Sequence, residues 1–164
     1  HLSDLPRYSL PYNTLRDQLK SKFVVISGGE PVYHPDLELL LTTLINDDFE
    51  VAIETSGAKK FKFEDFPQVW LTLSPKSHIS QNLNQNVAEI YWVRSNEIKL
   101  VISEASDFEY YGELLDRASQ LGTPIYLQPE WSKKEESTQI ILKILKDKPH
   151  LKISFQMHKY LGLA

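Results

Sequence analysis

The chain has 164 residues, with 18 Lys and Arg against 22 Asp and Glu, a net charge of −4, 41% hydrophobic residues and 24% charged. These proportions exclude a disordered tail or a fibrous repeat, and the length fits one domain that buries roughly two-thirds of its unfolded surface. Mild acidity argues against a nucleic-acid coat, no apolar run approaches the ~20 residues of a membrane span, and His1-Leu2-Ser3-Asp4 lacks the basic start and apolar core of a signal peptide.

In chain order, Asn13 to Lys22 predicts a short amphipathic helix, and Phe23-Val24-Val25-Ile26 a strand. That run is the first of six that are rich in β-branched and aromatic residues, as strands are. Pro35 to Ile45 places apolar residues at 37, 40, 41, 44 and 45, a one-sided helical stripe. Phe49 to Ile53 is the second strand and Val69 to Leu73 the third, while residues 58–67 and 77–96 follow no regular pattern. Ile98 to Ile102 is the fourth strand. Ser106-Asp107 predicts a cap for one helix running to Gln120-Leu121, which Gly122 stops. Pro124 to Leu127 is the fifth strand, Lys134 to Lys146 a helix with Ile140, Ile141, Ile144 and Leu145 on one face, and Leu151 to Phe155 the sixth strand. Strand and helix alternating in this way predict an α/β fold with a parallel sheet. A complete (β/α)₈ barrel takes about 250 residues. About six units therefore predict an incomplete TIM-like barrel, in one domain over 1–164 with no linker.

The polar residues gather at the strand ends. Strand one runs into Ser27-Gly28-Gly29-Glu30-Pro31, strand two into Glu54-Thr55-Ser56-Gly57 and strand three into Ser74-Pro75-Lys76. Strand four carries Glu97 and Lys99, strand five ends Gln128-Pro129-Glu130, and strand six leads to Gln156-Met157-His158-Lys159. Each piece has an ordinary reading. Gly28-Gly29 can be a turn, Ser74-Pro75-Lys76 the start of one, Glu54 a solvated carboxylate and His158 a surface histidine. In parallel α/β folds, however, the carboxyl ends of the strands form the ligand face. Repetition around one rim therefore predicts a single site. Lys99 alternates with Ile98 and Leu100 and so points into the barrel, where a charge needs a partner; Glu97 on the same face is the candidate. Phosphate-loop, dinucleotide and serine-hydrolase motifs are absent, and the five His residues show no metal-ligand spacing.

Taken together, VVISGGEP, IETSG, LTLSPK, NEIKLVI, IYLQPE and the terminal FQMHKYLGLA resemble radical S-adenosylmethionine (SAM) enzymes, and among them the 7-carboxy-7-deazaguanine synthase family of queuosine and other 7-deazapurine biosynthesis. GGEP alone marks the superfamily; the ordered series from Phe23 onward marks the family. The resemblance implies a partial TIM-like barrel in a cytoplasmic homodimer. It implies SAM, a [4Fe–4S] cluster, Mg²⁺ and an electron donor such as flavodoxin. It also implies ring contraction of 6-carboxy-5,6,7,8-tetrahydropterin, with no nucleic acid or membrane as partner. By the same resemblance Ser27, Gly28, Gly29 and Glu30 meet the methionine end of SAM, and Glu54, Ser56, Ser74, Lys76 and Gln128 line the rest of the cleft. Gly29 and His158 approach the pterin by the same resemblance. Separately, the residues after His158 are few and mostly apolar, and Gly162 permits a turn that would carry the carboxylate of Ala164 back over the site; the ordinary reading is a frayed terminus. No residue is singled out as catalytic.

One departure is large. The family's cysteine cluster loop lies between its first strand and the helix before GGEP, and this chain has no cysteine. The expectation is a chain lacking the first strand and cluster loop, inactive as it stands and with an apolar strand edge exposed. The alternatives are a non-catalytic relative that binds a purine or pterin, and an unrelated partial barrel that binds a small anion.

Overall fold

The computed structural model describes residues 10–76, 87 and 89–162. Six parallel strands, β1 (Phe23–Ile26), β2 (Glu50–Thr55), β3 (Trp70–Leu73), β4 (Glu97–Ile102), β5 (Ile125–Pro129) and β6 (Lys152–Ile153), lie in the order β1-β2-β3-β4-β5-β6. Each strand pairs with the next in sequence, and the sheet does not close. The fold is the α/β incomplete barrel that the strand spacing predicts.

Alternation along the strands sorts the two faces. Val51, Ile53, Leu71, Leu73, Ile98, Leu100, Ile102, Ile125 and Leu127 are buried on the convex face. There they meet the helical layer: α2 (Leu37–Asn46) packs on β2, α5 (Gly112–Gln120) and α6 (Lys134–Asp147) on β5. Leu41, Leu44 and Ile141 are the buried helix contributions. The concave face carries the other register, in which Glu54 pairs with Thr72 and Thr72 with Glu97. At its β1–β3 side Phe23 and Val25 are 53% and 56% exposed and Trp70 47%. The interior that a closed barrel fills with side-chain layers is open here, as an incomplete barrel requires. Among the described residues β1 pairs only with β2 and forms one edge of the sheet.

Four expectations need correction. The helix expected from Ser106 to Leu121 is two, α4 (Ala105–Tyr110) and α5, with Tyr111 between them. Tyr111 is 1% exposed and donates its hydroxyl to the Pro75 carbonyl at 3.3 Å, so the chain breaks step to bury the ring. The cap of α4 is Glu104 rather than Ser106-Asp107. Asp107 lies inside the first turn and accepts from the N–H groups of Ser103 and Glu104 at 2.7 and 2.8 Å, a capping box. The irregular stretch 77–96 contains α3 (Glu89–Arg94), whose run of consecutive apolar residues hides any one-sided stripe. Finally, β6 covers only Lys152–Ile153, and His158 lies on the short α7 (Met157–Tyr160), not at a strand end. Among the described residues β6 pairs only with β5; after Ser154 N–H donates to Leu127 O at 2.9 Å the chain turns, with Met157 N–H on Phe155 O at 3.0 Å. The first helix is α1 (Tyr12–Gln18).

Arg94 ties α3 to the start of β3. Its Nη2 donates to the carbonyls of Phe66, Pro67 and Val69 at 2.9, 3.1 and 2.7 Å, and its Nη1 to Asn96 Oδ1 at 3.0 Å. That same oxygen accepts from Leu71 N–H at 2.8 Å. Arg94→Met is expected to lower stability by about 2 kcal/mol, because several carbonyls lose a charged donor at once. Denaturant unfolding with an unchanged slope measures this, and a loss below about 0.5 kcal/mol would contradict it.

Candidate functional site

The carboxyl ends of the strands converge on one cleft of about 830 Å³. On the first wall, Gly28 and Gly29 have φ of +87° and +56°, the left-handed region. A Cβ built on either meets nothing within 4 Å, so conformation and not crowding selects glycine there. The result is bare backbone facing open space, into which a ligand can come close. Pro31 then fixes a 3₁₀ turn (Pro31–Tyr33) and brings Tyr33 to the rim.

Glu30 is held from β2. Thr55, 2% exposed, accepts the Gly57 N–H at 3.1 Å and so turns its hydroxyl proton onto Glu30 Oε1. Ser56 donates both its N–H, at 2.8 Å, and its hydroxyl to Glu30 Oε2. Three donors from β2 and the residue after it thus converge on this carboxylate. Three of about four lone-pair sites are taken, and one acceptor position remains for a ligand.

On the floor, Glu54 of β2 pairs through Oε2 with Lys99 Nζ of β4 at 2.5 Å; the two side chains are 29% and 19% exposed. The partner of Lys99 is thus Glu54 and not Glu97, whose carboxylate accepts the Thr72 hydroxyl at 2.9 Å. Thr72 sits directly beside Glu97 in the β3–β4 register and reaches it first. Lys76 donates to Ser74 Oγ at 2.9 Å. Burial draws the Lys76 pKa below the usual lysine value; Glu54 works against that shift and Lys99 adds to it.

Gln128, 7% exposed, and Ser74, 1% exposed, complete the wall between β3 and β5. Ser154, Phe155, Gln156 and His158 form the far rim. The structure therefore brings Ser27, Gly28, Gly29, Glu30, Glu54, Ser56, Ser74, Lys76, Gln128 and His158 to one cleft. Ala164 lies outside the described residues. Sequence reasoning left Tyr33, Ala58, Ser154 and Phe155 off the rim, and gave Thr55, Lys99 and Gln156 on it no role toward a ligand. Thr55 was hidden because alternation puts it on the convex, buried face, yet it reaches Glu30 from behind. Its adjacency to Ser56-Gly57 was the available signal.

The donor set can be tested against the groups that the family implies. An amino-acid zwitterion fits: two carboxylates and two ammonium groups line the cleft, beside bare backbone. A cysteine-held cluster does not fit these residues, since the chain has no cysteine. Among the described residues no group of three or more His, Asp or Glu is placed to hold a metal ion. Among them, too, no helix is long and apolar enough to cross a membrane.

No protein-family profile matches the chain. It is 41% identical over 146 residues to the 7-carboxy-7-deazaguanine synthase of Synechocystis, covering 88% of this chain and 64% of that protein. The enzyme of the same name from Flavobacterium psychrophilum is 34% identical over 147 residues (87% and 63%), and that of Escherichia coli K12 31% over 149 residues (91% and 64%). The crystal structure of QueE from Escherichia coli superposes with a TM-score of 0.68 at 30% identity, over 88% of this chain and 61% of that one. The open parallel β/α barrel with its polar cleft at the strand carboxyl ends is thus a fold shared with QueE. Over most of its length the chain is similar to 7-carboxy-7-deazaguanine synthases, and it spans a little under two-thirds of the length of these relatives.

Proposed function

We propose that the complete protein is a 7-carboxy-7-deazaguanine synthase, a cytoplasmic radical SAM lyase that contracts the pyrazine ring of 6-carboxy-5,6,7,8-tetrahydropterin with loss of ammonia. What supports this reading is the convergence of the Gly28-Gly29-Glu30 loop, Glu54–Lys99 and the Ser74-Pro75-Lys76 turn on one cleft. SAM, when bound, supplies the 5′-deoxyadenosyl group that takes a hydrogen atom from the substrate. The residues of this chain bind and orient. The Glu30 carboxylate accepts the methionine ammonium at its remaining lone pair, while Ser27, Gly28 and Gly29 let the ligand lie against backbone. Lys76 meets the methionine carboxylate, and Ser56, Ser74, Glu54 and Gln128 line the rest. Gly29, His158 and Ala164 border the pterin.

In this reading the [4Fe–4S] cluster is held by cysteines outside these 164 residues, in a first strand and loop that they lack. The resemblance also implies Mg²⁺, and no step is assigned to it. A flavodoxin-like donor and a homodimer belong to the same reading. A non-catalytic purine or pterin binder is not favoured, because the relatives at 31–41% identity carry the synthase name.

The test is turnover. The complete protein, reconstituted without oxygen and given SAM, a reductant and 6-carboxy-5,6,7,8-tetrahydropterin, is expected to release 7-carboxy-7-deazaguanine, detected by mass. Binding of the pterin without any product would instead support the non-catalytic reading. The 164-residue chain alone, treated with iron and sulfide, is expected to develop no [4Fe–4S] absorption; a stable cluster spectrum would overturn the view that this chain cannot ligate iron.

A further inference from the structure

Two lysines share one cleft with two carboxylates, and the structure distributes them unequally. Glu30 is taken up by Thr55 and Ser56. Glu54 is taken up by Lys99, although the strand β3 lies between β2 and β4. Strands run about 4.8 Å apart, so Lys99 reaches over roughly two strand spacings to find Glu54. Lys76, which follows β3, rests only on the neutral Ser74 hydroxyl and has no ion-pair partner among the described residues. The charges facing Lys76 are Glu54 from β2, Lys99 from β4 and Glu30 from the loop after β1. Two cations therefore compete for Glu54, and one of them has it.

We propose that Lys99 is a positioning residue that occupies Glu54 and thereby keeps the Lys76 ammonium free for an anionic group of the ligand. Without Lys99, the half-buried Glu54 carboxylate would have Lys76 as its nearest unpaired cation, and the pair would close on itself. The free oxygen of Glu54, Oε1, has no protein partner among the described residues, so Lys99 also leaves one acceptor turned to the cleft. This inference rests on the reading of the cleft as the SAM site for the identity of the anion, the methionine carboxylate, but not for the competition itself.

The competition has a signature independent of turnover. The rate at which Lys76 is acylated by acetic anhydride in the complete protein follows its neutral fraction, measured peptide by peptide by mass spectrometry. Lys99→Met leaves Glu54 unpaired beside Lys76 and is expected to slow that acylation about three- to tenfold. Glu54→Gln leaves Lys99 unpaired beside Lys76 and is expected to speed it by a similar factor. Lys99→Arg keeps the wild-type rate within about twofold. A merely structural role for the ion pair would loosen the cleft and move the first two variants in the same direction, and that result, or no change in either, overturns the proposal. If Lys99→Met does not fold, Glu54→Gln and Lys99→Arg decide alone: an unchanged or slower rate in Glu54→Gln overturns it. Calorimetry supplies the second arm. Lys99→Met is expected to weaken SAM binding about five- to thirtyfold and Lys99→Arg less than threefold. Opposite shifts in acylation with unchanged SAM affinity would uphold the positioning and overturn the SAM reading of the cleft instead.

Discussion

Glu30→Ala is expected to weaken SAM binding by the complete, cluster-loaded protein by about 1.5–3 kcal/mol, roughly 10- to 150-fold in Kd. The argument runs from the hydrogen-bond polarity around the carboxylate. The Thr55 hydroxyl accepts from Gly57 N–H and donates to Glu30, and both Ser56 donors point the same way. Such a site holds negative charge and offers one lone pair outward, which is what an ammonium needs. The alanine variant removes that contact and also strands three donors. Glu30→Gln separates the two effects, since it keeps the shape and discards the charge. Titration calorimetry on the three forms gives the answer, and wild-type affinity in the alanine variant would remove Glu30 from the binding site.

The largest effect on stability is expected from Gly57→Ala, about 2–3 kcal/mol. Gly57 has φ +75°, which an L side chain adopts only with strain. A Cβ placed there comes within 2.9 Å of Leu73 Cδ1 and 3.1 Å of Val87 Cγ1. Leu73 is 0% exposed and closely packed, so it has little room to withdraw. Gly28→Ala is the informative contrast, because its φ is also positive but its Cβ meets nothing within 4 Å. It should lose only the conformational part, about 1 kcal/mol. Equal losses in the two variants, measured by thermal or denaturant unfolding, would show that crowding at Gly57 is unimportant.

The sheet was legible because the central strands β2 to β5 bury apolar residues on the convex face, and α2 and α6 carry a one-sided apolar stripe. Leu73, Ile98 and Leu127 declare themselves by burial alone. The rim was legible for a different reason: glycine, proline and charge recur after successive strands, and a parallel sheet puts all those positions at one end. What was not legible depended on contacts between segments distant in sequence. Nothing local says that Lys99 reaches Glu54, 45 residues away, and not Glu97 two residues away. Thr55 follows the apolar alternation and so reads as packing, although its hydroxyl serves Glu30. The break at Tyr111 likewise comes from a pocket under Pro75, 36 positions earlier. His158 was expected at the end of a sixth strand because Leu151 to Phe155 alternates well, but β6 stops at Ile153 and the chain turns into α7.

The strictly sequential order of the strands has a consequence for how the cleft comes into being. Each βα unit docks on the one before it, with no strand inserted between earlier ones. Neighbours in the sheet are therefore also neighbours in the sequence, one βα unit apart, and the sheet can grow from any adjacent pair outward. The cleft does not share this modularity, because its lining is drawn from β2, β4 and β5 and from the segments after β1, β2, β3 and β6. A partly assembled chain holds stretches of good sheet and no complete pocket. Ligand affinity is thus a property of the last unit to arrive, and occupancy of the cleft selects chains whose two distant edges are both in place.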